Sequence, residues 1–299
     1  MEDILTKCTL CPRECKINRH EKAGFCLADD KIRVARADLH FWEEPPISGE
    51  KGSGTVFFSG CNLRCVFCQN YDISRENFGK EISAERLAEI FLELQEKGAN
   101  NINLVTPTHF IDDIVKALNL SKKMGMNLPV VYNTSSYEKV DSLRKLEGLV
   151  DIYLPDFKYM DSFLSKRYSN AEDYSEVAKN AIAEMVRQVG IPQFDEKTDL
   201  MTKGVIVRHL VLPGQTEDSK KIIKYLYDTY GDNIFISIMR QYTPFGNLEN
   251  YPEINRKITD EEYDEVVDYA VDIGVENGFL QDEEAASESF IPKFNLKGV

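Results

Sequence analysis

From residue 83 onward, helical patterns of apolar residues alternate with short runs of β-branched and other apolar residues. The first helical pattern is the clearest, because its apolar residues recur at intervals of three and four and therefore line one face. Ser83 is placed to cap the amino end of this helix, and Gly98 ends it. The apolar face consists of Leu87, Ile90, Phe91 and Leu94. Alternating helices and short strands predict an α/β fold built on a parallel sheet.

Six apolar runs are predicted as strands of this sheet. They are Thr55–Ser59, Ile102–Val105, Pro129–Tyr132, Asp151–Leu154, Val205–Leu210 and Phe235–Met239. Six strands are too few to close an eight-stranded barrel, so we expect a partial (βα)6 barrel of the TIM type, with an added strand near Gly278–Leu280. A capping box of Thr259 and Glu262 predicts the last long helix.

Residues 1–50 differ from the rest of the chain. They lack helix or strand periodicity, contain four cysteines and end close to Pro45-Pro46. We therefore expect a loop-rich segment that packs on the barrel. The predicted organisation is a cysteine-rich N-terminal segment, residues 1–50, followed by a (βα)6 core with a C-terminal extension, residues 51–299.

Composition narrows the class of protein. The chain has 299 residues, of which 42% are hydrophobic and 29% are charged, as in ordinary globular proteins. Its formal net charge of −14 argues against broad contact with nucleic-acid backbones. It has no apolar run long enough to span a membrane, and its first residues lack a signal-peptide pattern. We expect a cytoplasmic protein without a nucleic-acid or membrane partner.

The seven cysteines point to metal chemistry. They lie at positions 8, 11, 15, 26, 61, 65 and 68, and an odd number crowded into one quarter of a cytoplasmic chain does not suit disulfides. Cys61, Cys65 and Cys68, in the spacing C-x3-C-x2-C, follow the first predicted strand directly. Three thiolates can bind three irons of a four-iron cluster and leave one iron open. A zinc-binding or redox-passive cysteine loop is the alternative.

This spacing, with Phe67 before the last cysteine and a strand before the first, resembles the radical S-adenosylmethionine (SAM) superfamily over residues 54–280. Asn62, Asn70 and the Phe-Phe-Ser-Gly sequence before Cys61 resemble the branch around pyruvate-formate-lyase activating enzymes. The resemblance implies a 4Fe-4S cluster whose open iron is chelated by SAM. It implies that an electron from the cluster splits SAM into methionine and a 5′-deoxyadenosyl radical, which abstracts hydrogen from a substrate. A flavodoxin or ferredoxin is the implied reductant.

Polar residues at the strand ends are candidates for binding SAM, because catalytic residues of such barrels lie there. Thr106 and Thr108 follow the second strand, where relatives carry Gly-Gly-Glu, and their hydroxyls could meet the SAM amino group. A turn set by Pro107 is the alternative. Asn133 ends the third strand and, by the resemblance, hydrogen-bonds the ribose or methionine part of SAM.

The fourth and fifth strands end in charged residues. Asp156 and Lys158 share one face if the strand continues, and they resemble an Asp-Leu-Lys element whose lysine approaches the SAM carboxylate. An exposed ion pair is the alternative. Arg208 is expected to point into the barrel mouth toward a carboxylate such as that of SAM, since a charge in a parallel strand must be paired. The neighbouring His209 faces the other side as a structural histidine.

The N-terminal segment offers a second candidate site. Its four possible ligands are Cys8, Cys11, Cys15 and Cys26. This spacing permits either zinc or a second iron–sulfur cluster, and unliganded thiols are the alternative. Just before the barrel, the residues His40, Trp42, Glu43 and Glu44 could seal or line its mouth, although Trp42 is more simply a packing anchor for the segment. We assign them no catalytic role.

The leading hypothesis is a radical SAM enzyme that abstracts hydrogen from an unidentified substrate. The resemblance to activating enzymes suggests a backbone glycine of a partner protein. A small-molecule or peptide substrate is the alternative within the same class. An iron–sulfur or zinc scaffold that carries no catalysis, and a subunit that requires a partner, are the other hypotheses.

Overall fold

The computed structural model describes residues 3–281 and 292–299, and its centre is one large mixed sheet. The strands are β1 (Ile32–His40), β2 (Ser53–Phe58), β3 (Lys80–Ile82), β4 (Ile102–Val105), β5 (Val130–Thr134), β6 (Ile152–Pro155), β7 (Gln193–Phe194), β8 (Met201–Leu210), β9 (Phe235–Met239) and β10 (Gly278–Leu280). The helices are α1 (Pro45–Ser48), α2 (Tyr71–Ser74), α3 (Ala84–Glu96), α4 (Ile111–Met124), α5 (Val140–Leu143), α6 (Ser162–Ser169), α7 (Tyr174–Val189), α8 (Thr216–Tyr230) and α9 (Asp260–Asp272). No described helix is both long and apolar enough to cross a membrane.

The strand order is β10-β9-β8-β6-β5-β4-β2-β1-β3, and β7 pairs with β8 off this path. From β2 to β10 all neighbouring strands along this path run parallel, whereas β1 is antiparallel to both β2 and β3. The order ends at β10 and β3, so the sheet is open. The predicted partial (βα)6 barrel and the added strand at Gly278–Leu280 are therefore confirmed.

The predicted helix boundaries follow local chemistry. The Ser83 side chain accepts a hydrogen bond from the Arg86 amide at the start of α3. Thr259 and Glu262 form both halves of a capping box at the start of α9. The apolar positions of α3 that were named from the sequence are all buried, so its apolar face packs against the core as predicted.

Alternate residues of the parallel strands form two apolar layers. Outward-facing residues such as Leu104, Tyr132 and Val205 pack under the helices in the main core. Inward-facing residues such as Val131 and Ile206 form a separate cluster inside the barrel. Towards the carboxyl ends of the strands the inward positions become polar, and this change creates the interior of the site.

The prediction that residues 1–50 contain no regular element is wrong for β1 and α1. Charged residues interrupt the apolar pattern of β1, but they are paired within the fold: Arg36 contacts Asp38 at 2.9 Å. Ile47 of α1 is buried within the inner cluster, and its carbonyl accepts a hydrogen bond from Asn101 at 2.7 Å. The N-terminal segment therefore extends the sheet and fills the barrel at the end where the strands begin.

The last residues of the chain also join the sheet. The Leu296 amide donates to the Ala35 carbonyl, and the Ala37 amide donates to the Lys297 carbonyl, so the tail pairs with the free part of β1. Phe294 packs edge-on against Phe57 with ring centroids 5.5 Å apart. The C-terminal extension thus returns to the first strands of the barrel.

The cap of α9 provides a test of the fold. Thr259→Ala removes the side-chain acceptor of the capping box, so we expect the free energy of unfolding to fall by about 1 kcal/mol in urea titrations. Thr259→Gly is the control, because glycine at a cap costs only a few tenths of a kcal/mol. Equal losses in the two variants would contradict the capping role.

Candidate functional site

The loop after β2 brings three thiols to the carboxyl end of the sheet. Gly60 begins this loop with φ at +88°, and a Cβ at this position would lie 2.4 Å from the Cys26 carbonyl oxygen. Only glycine fits there without a shift of the backbone. The Cys61 amide donates to the same Cys26 carbonyl at 3.0 Å. The N-terminal segment therefore fixes where the cysteine loop starts.

Each of the three sulfurs accepts a hydrogen bond. The Cys61 sulfur accepts from the amides of Leu63 and Arg64, both at 3.4 Å. Hydroxyl groups serve the other two: Ser169 Oγ of α6 donates to Cys65 Sγ at 3.1 Å, and Ser74 Oγ of α2 donates to Cys68 Sγ at 3.3 Å. Such bonds orient thiolate ligands and tune an iron–sulfur centre.

Phe67 anchors the loop to the core of the protein. Its buried ring packs edge-on against the rings of Tyr159, Tyr168 and Tyr242, with centroids 5.7 to 6.5 Å apart. Asn62, which is also buried, donates to the Tyr137 carbonyl at 2.6 Å. Two side chains inside the C-x3-C-x2-C motif thus hold the loop against the core.

All three cysteines line one cavity of about 230 Å³ inside the barrel mouth. The opposite wall contains five residues that the sequence analysis selected: Thr106, Asn133, Asp156, Lys158 and Arg208. Burial raises the pKa of the Cys61 and Cys68 thiols, and the neighbouring thiols raise it further, to about 12 for Cys68. The thiols are thus close enough to repel one another as thiolates, and a bound cation would relieve that repulsion.

A network of buried charges forms the floor of the cavity. The Arg208 guanidinium contacts Asp156 at 2.9 Å and Glu43 at 3.1 Å, and it donates to Asn133 Oδ1 at 2.6 Å. The Lys158 ammonium contacts Asp156 at 2.7 Å. Arg208 therefore points into the barrel mouth as predicted, but it already meets two carboxylates of its own chain.

The pKa values within this network follow from burial and pairing. Burial opposes ionisation of Asp156, but Lys158 and Arg208 outweigh it and lower the pKa of this carboxyl. Burial dominates at Glu43 and raises its pKa, although Arg208 and Asn103 oppose the shift. Asp156 is thus the firmly ionised acid of the floor.

Thr108 does not lie in the cavity. It belongs to a short 3-10 helix, is fully buried, and donates to Glu138 Oε1 at 2.6 Å. The turn after β4 directs Thr106 inward and Thr108 outward, so only Thr106 keeps the position expected for contact with SAM. His209 is a structural histidine as predicted, because its ring contacts the Phe157 carbonyl and the Ser219 hydroxyl.

The residues before α1 line the barrel mouth, which is one of the two alternatives that the sequence left open for them. Glu43, to which no catalytic role was assigned, reaches into the cavity floor and also accepts from Asn103 Nδ2 at 3.1 Å. Trp42 lines the cavity with 60% of its surface exposed, so its prediction as a packing anchor is wrong. The sequence contains one indication of this role. Glu43 and Glu44 are adjacent acids in an apolar and aromatic stretch, and acids buried there would need a cationic partner elsewhere in the fold.

The four N-terminal cysteines lie beside the cysteine loop. Cys8, Cys11 and Cys26 are buried and Cys15 is partly buried. Across residues 3–281 and 292–299, no three His, Cys, Asp or Glu side chains stand at the mutual positions that a bound metal ion requires. Neither the loop cysteines nor the N-terminal cysteines therefore stand in the arrangement that a single bound ion such as zinc requires.

An open parallel barrel with three thiols beyond its first parallel strand, facing a charged cavity, defines a class of metal-cluster enzyme. Residues 55–226 match the Radical SAM superfamily, and the chain belongs to it. Membership of this superfamily implies a 4Fe-4S cluster and SAM. The thiol donors suit iron, and Cys61, Cys65 and Cys68 are the residues that would hold the cluster.

Two relatives and one solved structure illustrate the likeness. An uncharacterised protein of Methanocaldococcus jannaschii, MJ0674, is 32% identical over 90% of this chain and 75% of its own length. The pyruvate formate-lyase-activating enzyme of Clostridium pasteurianum is 24% identical over 62% of this chain and 80% of its own. Streptococcus suis SuiB bound to the precursor peptide SuiA superposes with a TM-score of 0.50 at 14% identity, over 74% of this chain and 46% of SuiB. The chain thus spans about half the length of SuiB, and this likeness concerns the fold alone.

The charge network predicts a stability change that depends on pH. Arg208→Met leaves Glu43 buried without its cation and leaves Asp156 paired with Lys158 alone, so we expect the free energy of unfolding to fall by about 3–5 kcal/mol at pH 7. Because the pKa of Asp156 is lowered in the fold, its stabilising contribution is present above the unfolded pKa of about 4 and is lost as the pH falls through the lowered value. The deficit of the variant should therefore shrink in acid, as measured by urea titrations at several pH values.

Arg144→Met is the matched control for that measurement. The Arg144 side chain is 59% exposed and pairs with the exposed Asp141; it also lies 3.9 Å from Glu184, which Arg187 already contacts at 2.8 Å, so its loss should cost less than about 1 kcal/mol. An Arg208→Met deficit that stays constant with pH would contradict the assignment.

The hydrogen bond to Cys65 predicts a change in redox potential. Ser169→Ala removes a donor that stabilises the more negative, reduced state of a cluster, so we expect a lower reduction potential without loss of iron. Ser165→Ala on the same helix is the control, because the Ser165 hydroxyl donates to the Ser162 carbonyl. The reduction potentials of both variants are measured by potentiometric titration followed by electron paramagnetic resonance (EPR). Equal potentials in the two variants would show that the Ser169 contact has no electronic effect.

Proposed function

We propose that the chain cleaves SAM reductively and that the resulting radical abstracts hydrogen from a substrate. The observation that carries this proposal is the placement of Cys61, Cys65 and Cys68 on one cavity whose described lining contains no fourth cysteine. Three thiolates leave one iron of a cube free for another ligand. When bound, the cluster supplies the electron that breaks the sulfonium bond of SAM and yields a 5′-deoxyadenosyl radical.

The residues of the cavity wall bind and orient SAM in this proposal. The methionine part of SAM carries both an ammonium and a carboxylate. Lys158 is the proposed partner of the carboxylate, and Asn133 and Thr106 supply neutral hydrogen-bonding groups. Asp156 and Glu43 hold Arg208 in place and balance its charge. A zwitterion can therefore bind without leaving an unpaired charge in a desolvated site.

A protein or peptide segment is the substrate class we favour. The comparison proteins supply the support: one relative is named for activation of pyruvate formate-lyase, and SuiB was crystallised with a precursor peptide. Trp42 adds support from the chain itself, since it lines the cavity and is 60% exposed at the surface. A chain segment entering the mouth would contact this ring, as interface tryptophans commonly do. We propose a backbone glycine as the hydrogen donor, and a small molecule is the second candidate.

The reductant and the compartment follow from the cluster chemistry. We propose a flavodoxin or ferredoxin as the electron donor, because the cluster needs single electrons. A reducing cytoplasm is the proposed location, and it is supported by the seven free cysteines among the described residues. We also propose that the N-terminal cysteines hold a metal centre of their own.

The thiol triad is tested by Cys65→Ala. Loss of one of three protein ligands should abolish both the visible absorbance of the loop cluster and the formation of 5′-deoxyadenosine from SAM and dithionite. Met124→Ala, which changes a sulfur-bearing side chain that is 53% exposed, is the control and should retain both. A wild-type chain that binds iron but forms no 5′-deoxyadenosine would instead be an electron carrier.

The substrate class is tested in the same assay with deuterated probes. Peptides deuterated at the glycine α carbon are compared with deuterated free amino acids. Transfer of deuterium into 5′-deoxyadenosine from the peptides supports the proposed class. Transfer only from free amino acids would favour a small-molecule substrate.

A further inference from the structure

The N-terminal cysteines are brought together by a narrow loop. The Cys8 amide donates to the Ile17 carbonyl at 2.9 Å, and the Lys16 amide donates back to the Cys8 carbonyl at 3.0 Å. The Glu14 amide closes a turn on the Cys11 carbonyl at 3.0 Å. The chain therefore folds back on itself between Cys8 and Ile17, and Cys11 and Cys15 lie within this loop.

Cys26 completes the group from a second loop. A Cβ built on Gly24 would lie 3.4 Å from Cys15 Sγ and 3.5 Å from Cys26 Sγ, so these two sulfurs flank one glycine. Any larger residue at position 24 would meet both sulfurs.

The surroundings of this group carry positive charge without carboxylate partners. Arg19 is only 1% exposed, and its guanidinium donates to the carbonyls of Asp29 and His109. Arg64 donates to the Phe25 carbonyl at 3.2 Å, and Arg13 donates to the carbonyls of several loop residues. Within the described part of the chain, none of these three arginines forms an ion pair with a carboxylate.

The Arg19 guanidinium also lies 5.8 Å from the centroid of the Phe110 ring, but a buried guanidinium that meets only carbonyls and an aromatic ring still lacks a full counter-charge. Four cysteine thiolates around a metal centre are negative overall and would supply that charge. The arginines therefore point, independently of the cysteine spacing, to an anionic group at this place. Neutral thiols would leave Arg19 uncompensated.

The group also touches the catalytic loop directly. The Cys26 carbonyl accepts the hydrogen bond of the Cys61 amide at 3.0 Å. Arg64, between Cys61 and Cys65 in sequence, donates to the carbonyl of Phe25, the residue before Cys26. A centre held by the N-terminal cysteines would therefore be a close neighbour of the SAM cluster. An electron carrier at this place would lie next to the SAM cluster, whereas zinc would contribute only to the structure of the segment.

We propose that Cys8, Cys11, Cys15 and Cys26 ligate a second 4Fe-4S cluster that relays electrons to the cluster held by Cys61, Cys65 and Cys68. The compact spacing C-x2-C-x3-C favours a four-iron centre over the wider spacing of two-iron ferredoxins. In each cycle the relay accepts one electron from a flavodoxin or ferredoxin, passes it to the catalytic cluster and returns to its oxidised state. This inference rests on the proposed function for the role of the relay, but not for its metal content.

Metal analysis of the anaerobically reconstituted full chain is the first test. The wild type should contain about eight irons with matching sulfide, and no zinc. Cys8→Ser/Cys11→Ser and the triple variant Cys61→Ser/Cys65→Ser/Cys68→Ser should each keep about four irons. Full iron in the N-terminal variant, or one zinc per wild-type chain, overturns the second cluster. Full iron in the triple variant overturns the proposed function instead, so the two failures are distinguishable.

A comparison of reductants tests the relay itself. The rate of 5′-deoxyadenosine formation is measured with reduced flavodoxin and with dithionite for the wild type, Cys8→Ser/Cys11→Ser and Cys15→Ser. The ratio of the flavodoxin rate to the dithionite rate should fall at least about tenfold in both variants, because dithionite is small enough to reach the catalytic cluster directly. A centre with only a structural role would lower both rates together and leave the ratio unchanged. That result overturns the relay, and Cys15→Ser guards against a folding defect because Cys15 is only partly buried.

Discussion

The buried guanidinium of Arg208 is the contact on which the arrangement of the barrel mouth depends. It meets Asp156 after β6, Asn133 on β5 and Glu43 from the N-terminal segment. A cation inside a parallel sheet is tolerated only where carboxylates compensate it. That requirement fixes the relative positions of three segments and makes the N-terminal residues part of the cavity. The stability of the fold and the shape of the cavity thus rely on the same charges.

The cysteine loop is likewise held by contacts from several segments of the chain. Its start is held by a carbonyl of the N-terminal segment, and its sulfurs accept hydrogen bonds from α2 and α6. Supporting contacts of this kind fix the rotamers of ligands before a cofactor binds. The short loop therefore depends on elements that lie far apart in sequence.

The architecture and most of the wall residues could be predicted from sequence, because both follow local patterns. The ends of the predicted strands mark the carboxyl edge of a parallel sheet, so the sequence is sufficient to identify Asn133, Asp156 and Arg208 as residues of the site. Glu43 and β1 could not be found in this way. Their charged residues find partners only when segments distant in sequence come together, and the hydrophobic periodicity of the sequence does not show which residues those partners are. The prediction that Thr108 lies at the site was wrong for a related reason, because the turn after β4 determines which hydroxyl faces inward.

The pairing of the last residues with β1 has a consequence for association between molecules. β3 covers β1 only at residues 32–34, and the tail covers Ala35 and Ala37. Without the tail, these backbone groups would form an open strand edge next to the apolar ring of Phe57. Open edges of this kind recruit strands from other copies and initiate aggregation. The tail therefore covers the part of the β1 edge through which copies of the chain could otherwise pair.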